Sequence, residues 1–553
     1  MLADPEAMKA VQNEAGGLIQ SGTWDLASVR SKQAIVQECK ANNTTAHFGQ
    51  LMTIASIKHH ELPKEQQKRK GRIVYRGDIT KDHTGALAVF AELSANPTSL
   101  TSARCNLAYG CLPGHTISQA DAIQAYIQSY LKATDKGGKP IETWITLPPE
   151  LQPSSWKTLP FKDPVVKLVK ALYGHPDSGG LWERHLKAAL VKCGFKELPE
   201  HLSSFWHPTY KCLLTAYVDD LLLSGPAENH AAVWRALRDP SIGNINVEEP
   251  QNLSRFLGCN HHHTSSNKGQ RILFEMSDYI DQAVEKYEAL SGARPLKKVT
   301  TPFLPDGSLT ECDDDVRGEL AGEACGVLMK NLYAARLSRP DLLKPINELA
   351  KSVTKWTRNH DRQLWRLLSY MKTTRHYQLE GVVNNNKDDV RLELFVDADF
   401  SGERKDSKST SGAWMRLAGT QTSFPLMWSS KRQTSTSRST TEAEVIAMAT
   451  AVFNEALPVI QLWETVLERR IETVVCEDNQ ATIQVVKRGY NPKLRHISRT
   501  HKVNLGSLAE VFEDAHNKLQ YTESSKQCAD IFTKALEPHA WNNAIGLLQM
   551  KTE

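Results

Sequence analysis

The sequence predicts a multidomain protein that combines α/β and α+β units. Its 553 residues are enough for roughly three or four domains of ordinary size. Short apolar runs typical of buried strands alternate with helical patterns near both ends of the chain. Two stretches rich in Pro, Asn or charge, residues 294–315 and 381–390, interrupt these patterns. They divide the chain into a long mixed block, a helical connector over 318–378 and a shorter mixed block.

The composition indicates an ordinary globular protein with reduced thiols. Hydrophobic residues make up 40% and charged residues 24%, and the net charge of +4 is too small to indicate a nucleic-acid partner by itself. No apolar run approaches the ~18 residues needed to span a bilayer, and the N-terminal residues lack the pattern of a secretory signal. The ten cysteines are dispersed without a CxxC pair. We therefore expect an intracellular protein without a membrane partner.

Two adjacent carboxylates, Asp219 and Asp220, interrupt the apolar run TAYVDDLLLSG (215–225). Two like charges ~4 Å apart repel by about 4 kcal/mol at an effective dielectric near 20, so the pair needs compensation if it is buried. One interpretation is a hairpin whose turn is Asp-Asp. The other is a divalent cation held at a tight turn, and this stretch alone does not separate them.

A further carboxylate, Asp121, lies in HTISQADAIQAYIQSYLK (115–132), where a strand-like stretch gives way to a helical pattern. Taken alone, Asp121 is best interpreted as a helix N-cap. Together with the Asp219–Asp220 hairpin it supplies a third oxygen donor for a hard cation such as Mg²⁺. Two such ions can hold the attacking and leaving oxygens of a phosphoryl transfer.

ADAIQAYIQ followed later by YVDD resembles the palm of a reverse transcriptase, and the finer resemblance is to the copia-type LTR retrotransposons. It extends from roughly residue 8 to residue 537. The further motifs occur in that family's order: LIQSGTWDL (18–26), KRKGRIVYRGD (68–78), LPPEL (147–151), KALYG (170–174), LWERHL (181–186), FLG (256–258) and SRPD (338–341).

The resemblance implies a right-hand polymerase with fingers, palm and thumb. Asp121 and Asp219 are then expected to bind metal directly. Asp220 completes the set, although adjacent side chains on a strand point to opposite faces. Tyr126 matches the aromatic position beneath the incoming sugar, where a ring would exclude a 2′-hydroxyl. The alternative for Tyr126 is a core tyrosine.

The basic stretch KEQQKRKGRIVYR (64–76) would lie in the fingers of such a polymerase, over the nucleotide triphosphate. Lys70 and Arg72 are the candidates for phosphate contacts, and without the resemblance the stretch would be a solvated face. One residue departs from the family. Asp177 stands where a Gln near the nucleotide is usual, so we expect its carboxylate to face away or to bind a metal.

The last block repeats the carboxylate pattern on another fold. We expect a strand ending on Asp397, a helix carrying Glu444 that Pro458 kinks or ends, a strand ending on Asp478 and a final helix after Asp530. Four acidic residues at strand ends and helix starts can converge on two metals, as in the RNase H fold. KSTSG (408–412), WSSK (428–431), TEAE and EDNQ also match the copia-type RNase H domain.

Two neighbouring acids, Glu442 and Asp399, are expected to have solvent or capping roles, because Glu444 fits the family's spacing better. Two departures concern the same block. The loop YTESSKQCAD (521–530) lacks the His that many RNases H carry, and Ser498 replaces a usual acidic residue. Neither change removes a metal ligand, but both could alter turnover.

The resemblance predicts the reverse transcriptase and RNase H portion of a retrotransposon Pol polyprotein, a processed product or a truncated copy without protease, integrase or Gag segments. The implied cofactors are two Mg²⁺ or Mn²⁺ ions per active site. The implied partners are an RNA template, a DNA or tRNA primer, dNTPs, RNA–DNA hybrids, and Gag and integrase in cytoplasmic virus-like particles or the nucleus. The predicted division is 1–296 for fingers, palm and start of the thumb, 297–385 for a helical connector, 386–540 for RNase H and 541–553 for a tail.

Two rival interpretations stay open at this stage. A decayed or co-opted copy would bind nucleic acid without catalysis, but all seven candidate carboxylates are present, which argues against it. Asp177 and the missing loop His argue mildly for it. A polymerase of another lineage, such as a group II intron type, would lack the C-terminal TEAE, EDNQ and ADIFTK motifs.

Overall fold

The structure is a computed structural model that describes residues 4–58, 68–90, 96–134, 139–266, 269–292, 294–305, 307–309, 311–400 and 407–552. The first elements are α1 (Pro5–Gln20), β1 (Trp24–Ser31), α2 (Lys32–Asn42), β2 (Ala46–Lys58), β3 (Lys68–Tyr75), β4 (Lys81–Asp82), α3 (Leu100–Gly110), β5 (His115–Asp121), β6 (Ala133–Thr134), β7 (Pro140–Thr146), β8 (Pro164–Leu168), α4 (Ser178–Lys192) and β9 (Lys196–Glu197). The middle elements are β10 (Ser204–His207), β11 (Cys212–Tyr217), β12 (Asp220–Pro226), α5 (His230–Arg238), β13 (Gln251–Asn252), β14 (Arg255–Phe256), β15 (Cys259–Ser266), β16 (Gly269–Glu275), α6 (Ser277–Leu290), α7 (Ala324–Leu337), α8 (Leu343–Ala350) and α9 (Arg358–Thr373). The last are β17 (Gln378–Val383), β18 (Arg391–Ala398), β19 (Thr410–Ala418), β20 (Ser423–Arg432), α10 (Thr440–Ala451), α11 (Leu457–Leu467), β21 (Thr473–Glu477), α12 (Gln480–Arg488), α13 (Ile497–Thr500), α14 (Leu505–Val511), β22 (Asn517–Tyr521), α15 (Pro538–Leu547) and β23 (Met550–Lys551).

The first sheet has the strand order β1-β8-β7-β2-β3 and corresponds to the predicted fingers. Helix α1 packs closely on β3, because Gly71 leaves room for the helix backbone. A Cβ on Gly71 would lie 2.5 Å from the carbonyl oxygen of Ala10. Along β3, Gly71 and Ile73 face inward, while Lys70 and Arg72 alternate with them on the exposed face.

The second sheet, β13-β5-β12-β11-β10-β9, forms the predicted palm. Its central strands are buried on both faces. Leu213 and Leu222 pack in the core that includes α3, whereas Leu214, Leu221 and Leu223 pack in the core that includes α4 and α5. Burial on both faces explains why these strands read as continuous apolar runs rather than as an alternation.

The third sheet has the order β14-β15-β16-β17-β20-β19-β18-β21-β22. It joins strands from before residue 296 and from the connector to the strands of the last block, because β16 pairs with β17 and β17 with β20. Helix α15 and β23 lie partly in the predicted tail, and β23 also pairs with β17. The sheet therefore crosses the predicted boundaries at 296 and 385, and the domain division stays a prediction. The predicted class, a multidomain mixture of α/β and α+β units, is confirmed.

The palm packs directly on the last block through a buried arginine. The Arg104 guanidinium from α3 lies 3.6 Å from the ring centroid of Trp428 on β20. It donates to the carbonyl oxygens of Leu426 and Arg336, so its charge is satisfied by backbone. Burial lowers the pKa of Arg104 to about 9. A second contact between these parts of the chain is made by His201, whose Nε2 lies 2.8 Å from the carbonyl oxygen of Pro458.

Three local expectations need correction. The helical pattern after Asp121 forms only a 3₁₀ turn, Ala125–Gln128, because Gln124 takes a left-handed conformation with φ +51°. Asp478 lies one residue beyond its strand, which ends on Glu477. Asp530 begins a 3₁₀ turn and the final helix starts only at Pro538. The predicted interruption of this helix near Pro458 is confirmed, because a π-helical turn over Val452–Ala456 separates α10 from α11.

One helical stretch among the described residues, Thr440–Leu467, is long and apolar enough to cross a membrane by length and composition alone. Within the protein, 61% of its most apolar window is buried, and α10 packs on β18 and β19. These features are those of a core helix. Length and apolar composition alone are weak evidence that such a helix spans a membrane.

We predict that Gly71→Ala destabilises the protein, whereas Gly16→Ala in the same helix-strand unit does not. The methyl group added at position 71 would meet fixed backbone at 2.5 Å, and overpacking of this kind costs about 1–3 kcal/mol. Gly16 has open space within α1 and is exposed, and Ala is the better helix former by about 1 kcal/mol. Thermal unfolding of the two variants beside wild type measures both effects. Equal melting temperatures would show that α1 does not rest on β3.

Candidate metal centres

The first candidate centre lies at the β11–β12 turn. Tyr217 pairs with Asp220, which leaves Val218 and Asp219 as a two-residue turn. Val218 adopts φ +59°, a strained conformation for a β-branched residue. Two backbone contacts hold the turn: Trp182 Nε1 donates to the Val218 carbonyl oxygen at 2.6 Å, and the Ala122 amide donates to that of Asp219 at 2.8 Å. Such over-determined strain is typical of functional sites.

The turn brings the three predicted carboxylates to one place. Asp121 ends β5 and is the direct cross-strand partner of Asp220 on β12. Burial raises the pKa of Asp220 to about 7, and Asp121 and Asp219 add to the rise by repulsion. Burial also raises the pKa of Asp219, with a further contribution from Asp121. Among the described residues, this set is not one of the groups whose ligand atoms all lie within 4.8 Å of one another. Asp121 is exposed and Asp219 and Asp220 are half-buried, so solvent reaches the centre.

The predicted nucleotide-binding residues surround Asp219. Lys70 and Arg72 are close enough to oppose the rise in the Asp219 pKa. The Tyr126 ring is half-buried and packs edge-to-face on Tyr173, with centroids 4.4 Å apart. The pKa of Tyr126 is raised by burial and by the Asp219 charge, so its phenol also lies near the carboxylates. Residues 64–67 of the basic stretch lie outside the described residues.

Asp177 is buried, with 1% of its surface exposed. Its Oδ1 is buried without a hydrogen-bond partner, and desolvation raises its pKa to about 6. The carboxylate is near Tyr75, whose pKa it helps to raise. The expectation that Asp177 faces away from the nucleotide or binds a metal stays a prediction; among the described residues Asp177 belongs to neither carboxylate group.

The second candidate centre is a cleft of about 610 Å³ in the last block, at the ends of β18 and β21 and the start of α10. Asp397, Asp478 and Asp530 place carboxylate oxygens within 4.8 Å of one another. Glu444 from the second turn of α10 forms a second such group with Asp478 and Glu477. All four predicted ligands are therefore brought together, and their role as ligands stays a prediction.

Sequence reasoning missed three residues of this centre. Glu477 is fully buried beside Asp478, and the doublet in VVCEDNQ was the available signal. Lys534 donates to Asp397 Oδ1 at 3.1 Å and to Asp530 Oδ1 at 2.7 Å, and its spacing of four from Asp530 in ADIFTK could have indicated it. Thr533 Oγ1 donates to Asp397 Oδ2.

The loop that lacks the expected His still reaches the centre. Ser524 from this loop donates its hydroxyl to Asp478 Oδ2 at 2.7 Å. A hydroxyl at this point can orient the carboxylate, but it offers no group that titrates near neutral pH. The loop therefore contacts a carboxylate of the centre, but this contact cannot supply the acid–base chemistry of a histidine.

The electrostatics of the second centre fit a bound cation. Burial raises the pKa of Glu444 to about 10 and that of Glu477 to about 8, and repulsion from neighbouring carboxylates adds to both. Glu444 Oε2 and Glu477 Oε2 are buried without hydrogen-bond partners. Hard oxygen donors in this number, close together and uncompensated, are what a divalent cation requires. Lys534 compensates part of the charge: burial would lower its pKa, but Asp397 and Asp530 outweigh it and raise it.

The two neighbouring acids have defined partners. Glu442 is buried, so the expected solvent role is wrong, while a capping role is seen in the Arg438 amide that donates to Glu442 Oε2 at 3.2 Å. Asp399 accepts from the Thr410 amide and lies 3.9 Å from Lys344 Nζ. Asp399 also lines the cleft, without belonging to either carboxylate group.

The protein has two separate sets of carboxylates. The set in the palm faces the basic side chains of β3, and the other lies in the last block. Both sets are suited to metal-assisted chemistry on phosphates. Residues 53–305 match the family model described as "Reverse transcriptase (RNA-dependent DNA polymerase)".

The resemblance to retrotransposon Pol polyproteins is confirmed over nearly the whole chain. The chain is 24% identical to the retrovirus-related Pol polyprotein from transposon RE1 of Arabidopsis thaliana, over 98% of this chain and 34% of that protein. It is 25% identical to the transposon Ty1-DR1 Gag-Pol polyprotein of Saccharomyces cerevisiae, over 96% of this chain and 28% of that protein. The chain thus spans about a third of the length of these curated relatives. A solved structure of a foamy viral protease–reverse transcriptase with double-stranded DNA aligns with a TM-score of 0.39 and 12% identity, over 89% of this chain and 69% of that one.

We predict that Glu477→Gln stabilises the metal-free protein, and more so at higher pH. A carboxyl whose pKa is higher in the folded state binds more protons there, so its stabilising effect is complete below the unfolded pKa and is lost as the pH rises through the folded pKa. For Glu477 this window runs from 4.5 to about 8. Melting curves in EDTA should coincide for variant and wild type near pH 5 and differ by several degrees near pH 8.

Added Mg²⁺ is the matched control for this prediction. It should raise the melting temperature of wild type at pH 8 and reduce its difference from Glu477→Gln, since the cation compensates the same charge. A variant that melts below wild type at every pH would contradict the assigned electrostatics.

Proposed function

We propose that the chain is an RNA- and DNA-directed DNA polymerase that copies retrotransposon RNA into DNA, with a second centre that hydrolyses the RNA strand of RNA–DNA hybrids. The observation that carries the proposal is the strained Val218–Asp219 turn, which presents Asp219 and Asp220 to Asp121 opposite the basic face of β3. The reverse transcriptase match over 53–305 supports the first activity. The carboxylates around Glu444 and Glu477 support the second.

At the first centre, Asp121, Asp219 and Asp220 would hold the metal, and Lys70 and Arg72 would bind the triphosphate of the incoming dNTP. The primer 3′-hydroxyl attacks the α-phosphate and pyrophosphate leaves. When bound, divalent ions supply charge neutralisation of the attacking and leaving oxygens. The protein itself holds the three carboxylates on paired strands. It also places the positively charged side chains of Lys70 and Arg72 where negative charge develops on the leaving group.

At the second centre, Asp397, Glu444, Asp478 and Asp530 would hold the metal, joined by Glu477. Lys534 and Thr533 orient Asp397 from one side, and Ser524 orients Asp478 from the other. Supporting hydrogen bonds of this kind set the direction of metal-binding carboxylates. The reaction is the hydrolysis of a phosphodiester of the RNA strand by water.

The finer assignments belong to the same proposal. We propose Mg²⁺ or Mn²⁺ as the cofactor, two ions per centre, because both sites offer only hard oxygen donors. The proposed partners are an RNA template, a DNA or tRNA primer, dNTPs and RNA–DNA hybrids. Gag is proposed because the yeast relative is named as a Gag-Pol polyprotein. Integrase and an intracellular location, in virus-like particles or the nucleus, are proposed with it.

The test is separation of the two activities by single charge removals. Asp219→Asn should abolish primer extension with either metal and leave RNA cleavage in a labelled hybrid. Asp478→Asn should do the reverse, because each change removes one ligand from one centre only. Both variants should retain primer–template affinity, which depends mostly on basic contacts to phosphates.

Wild-type protein that binds the hybrid but never extends a primer would instead indicate a binding module without catalysis. Loss of both activities in a single variant that still melts cooperatively would contradict the assignment of two independent centres.

We further predict that Tyr126→Ala raises incorporation of rNTPs relative to dNTPs. The ring lies near Asp219 and packs on Tyr173, where it can exclude a 2′-hydroxyl by a clash. Single-nucleotide incorporation with each substrate gives the ratio, and Tyr126→Phe, which keeps the ring, should retain the wild-type value. An unchanged ratio in Tyr126→Ala would make this residue part of the core.

A further inference from the structure

Helix α1 carries a carboxylate on its buried face. Its buried residues are Ala7, Val11, Ala15 and Leu18, which recur at the spacing of one helix face. Glu14 falls inside this stripe, because it follows Val11 by three residues and precedes Leu18 by four, and it is half-buried. The other charged and amide side chains of the helix are all exposed: Glu6, Lys9, Gln12, Asn13 and Gln20. A carboxylate in an apolar stripe is disfavoured unless positive charge compensates it.

The compensating charge comes from the two predicted phosphate-binding residues. Burial raises the pKa of Glu14, and Lys70 and Arg72 oppose that rise. The same two side chains oppose the rise in the pKa of Asp219 at the first centre. Both cations therefore lie within electrostatic reach of two carboxylates, one at the metal centre and one on α1.

Close packing fixes Glu14 relative to these cations. Gly71 separates Lys70 from Arg72 on β3, and a Cβ on Gly71 would lie 2.5 Å from the Ala10 carbonyl oxygen and 2.6 Å from Val11 Cα. The helix backbone thus rests on the strand at the residue between the two cations. Glu14 lies about one turn of helix after Ala10, so its position along β3 is set by the same contact.

Glu14 and Lys70 share a groove of about 550 Å³ between α1 and β3. Arg69, which also lines the groove, pairs instead with the start of the helix, where its Nη2 lies 2.8 Å from Asp4 Oδ2. Among the described residues, the ion pairs within 4.0 Å include Arg69 but neither Lys70 nor Arg72. Glu14 therefore attracts the two cations from a distance and leaves their donors available to phosphate.

The same helix reaches the loop of the first centre. A Cβ on Gly17 would lie 3.8 Å from Gln124 Nε2, which is ordinary van der Waals contact. Gln124 has the left-handed conformation that starts the turn between Asp121 and Tyr126. One helix therefore contacts both the strand of the phosphate-binding candidates and the loop of the sugar-binding candidate.

We propose that Glu14 is a positioning residue for the incoming nucleotide, whose carboxylate orients the side chains of Lys70 and Arg72 toward the triphosphate. The inference rests on the proposed polymerase function of the first centre and adds a residue that prepares this centre for its substrate. Lys and Arg side chains have many rotamers, and ordering them costs conformational entropy when the nucleotide binds. A fixed negative charge on α1 restricts them beforehand and opposes their collapse onto Asp219.

The first experiment measures equilibrium binding of dTTP to the full chain with Mg²⁺, an RNA template and a primer that ends in a dideoxynucleotide. Glu14→Gln should raise the Kd for dTTP about fivefold, as expected for the loss of one partly exposed charge interaction. The matched control is Glu6→Gln, which makes the same change on the same helix and in the same groove, 3.9 Å from Arg69. The control should match wild type, and both variants should retain RNA cleavage in a hybrid.

A second experiment tests whether Glu14 acts through the two cations. Adding Glu14→Gln to a protein that already carries Lys70→Gln and Arg72→Gln should leave the Kd for dTTP unchanged, because residues that act as one unit are not additive. Glu14→Asp, which keeps the charge, should recover most of the wild-type affinity. A full loss from Glu14→Gln in the absence of both cations would overturn the proposal.

A third variant, Glu14→Met, separates positioning from stability. Methionine suits both the apolar stripe and the helix, so this variant should melt at or above the wild-type temperature near pH 7. It should nevertheless bind dTTP as weakly as Glu14→Gln, and it decides the question if Glu14→Gln fails to fold. An unchanged or lower Kd for dTTP in the uncharged variants would overturn the proposal.

Binding to the dideoxy-terminated primer requires no bond formation. A wild-type protein that binds dTTP but never extends an ordinary primer would contradict the proposed polymerase function, while the comparison of Kd values still supports or overturns the role of Glu14. A wild-type protein that binds no dTTP would overturn the role of Glu14 as well. The two failures are distinguishable.

Discussion

The constraint on which the rest of this structure depends is the crowding of carboxylates at two places in the chain, where many of them are partly or fully buried. At an effective dielectric near 20, two such charges ~4 Å apart repel by about 4 kcal/mol, and burial adds to the cost. The structure records this cost as raised pKa values at Asp220 in the palm and at Glu444 and Glu477 in the last block. Charge compensation by cations is the condition under which these groups can be ionised together.

Repelling groups stay together only if the scaffold that carries them is stiff. In the palm, strands buried on both faces hold the carboxylates. The strained turn is fixed by a hydrogen bond from Trp182 to the Val218 carbonyl oxygen and by another from Ala122 to the Asp219 carbonyl oxygen. In the last block, strand ends and the second turn of α10 do the same. The contact of Arg104 with Trp428 packs one scaffold on the other, so the two centres share a core while their ligands stay separate.

Positive charge is placed to serve these centres, which the small net charge of +4 hides. Lys70 and Arg72 face the palm carboxylates from the fingers, and Lys534 lies inside the second cluster. The six Lys and Arg residues of segment 487–502 are exposed, and none of these six forms an ion pair with a carboxylate among the described residues. Under the proposed function, Lys70 and Arg72 would contact the leaving group, and Lys534 would orient a metal ligand.

The sequence by itself determined the fold class and indicated seven carboxylates of the two candidate centres, because those depend on local patterns: apolar runs for buried strands and acidic residues near their ends. It also indicated the family through ordered motifs. It could not predict that β16 and β17 extend the last sheet, or that α15 and β23 belong to it, because strand pairing is decided by contacts between residues far apart in the chain. Glu477, Lys534 and the partners of Glu442 were decided only by the tertiary structure. Their roles depend on which side chains meet across the cleft and on how much water is excluded there, and neither quantity is a property of a local stretch of sequence.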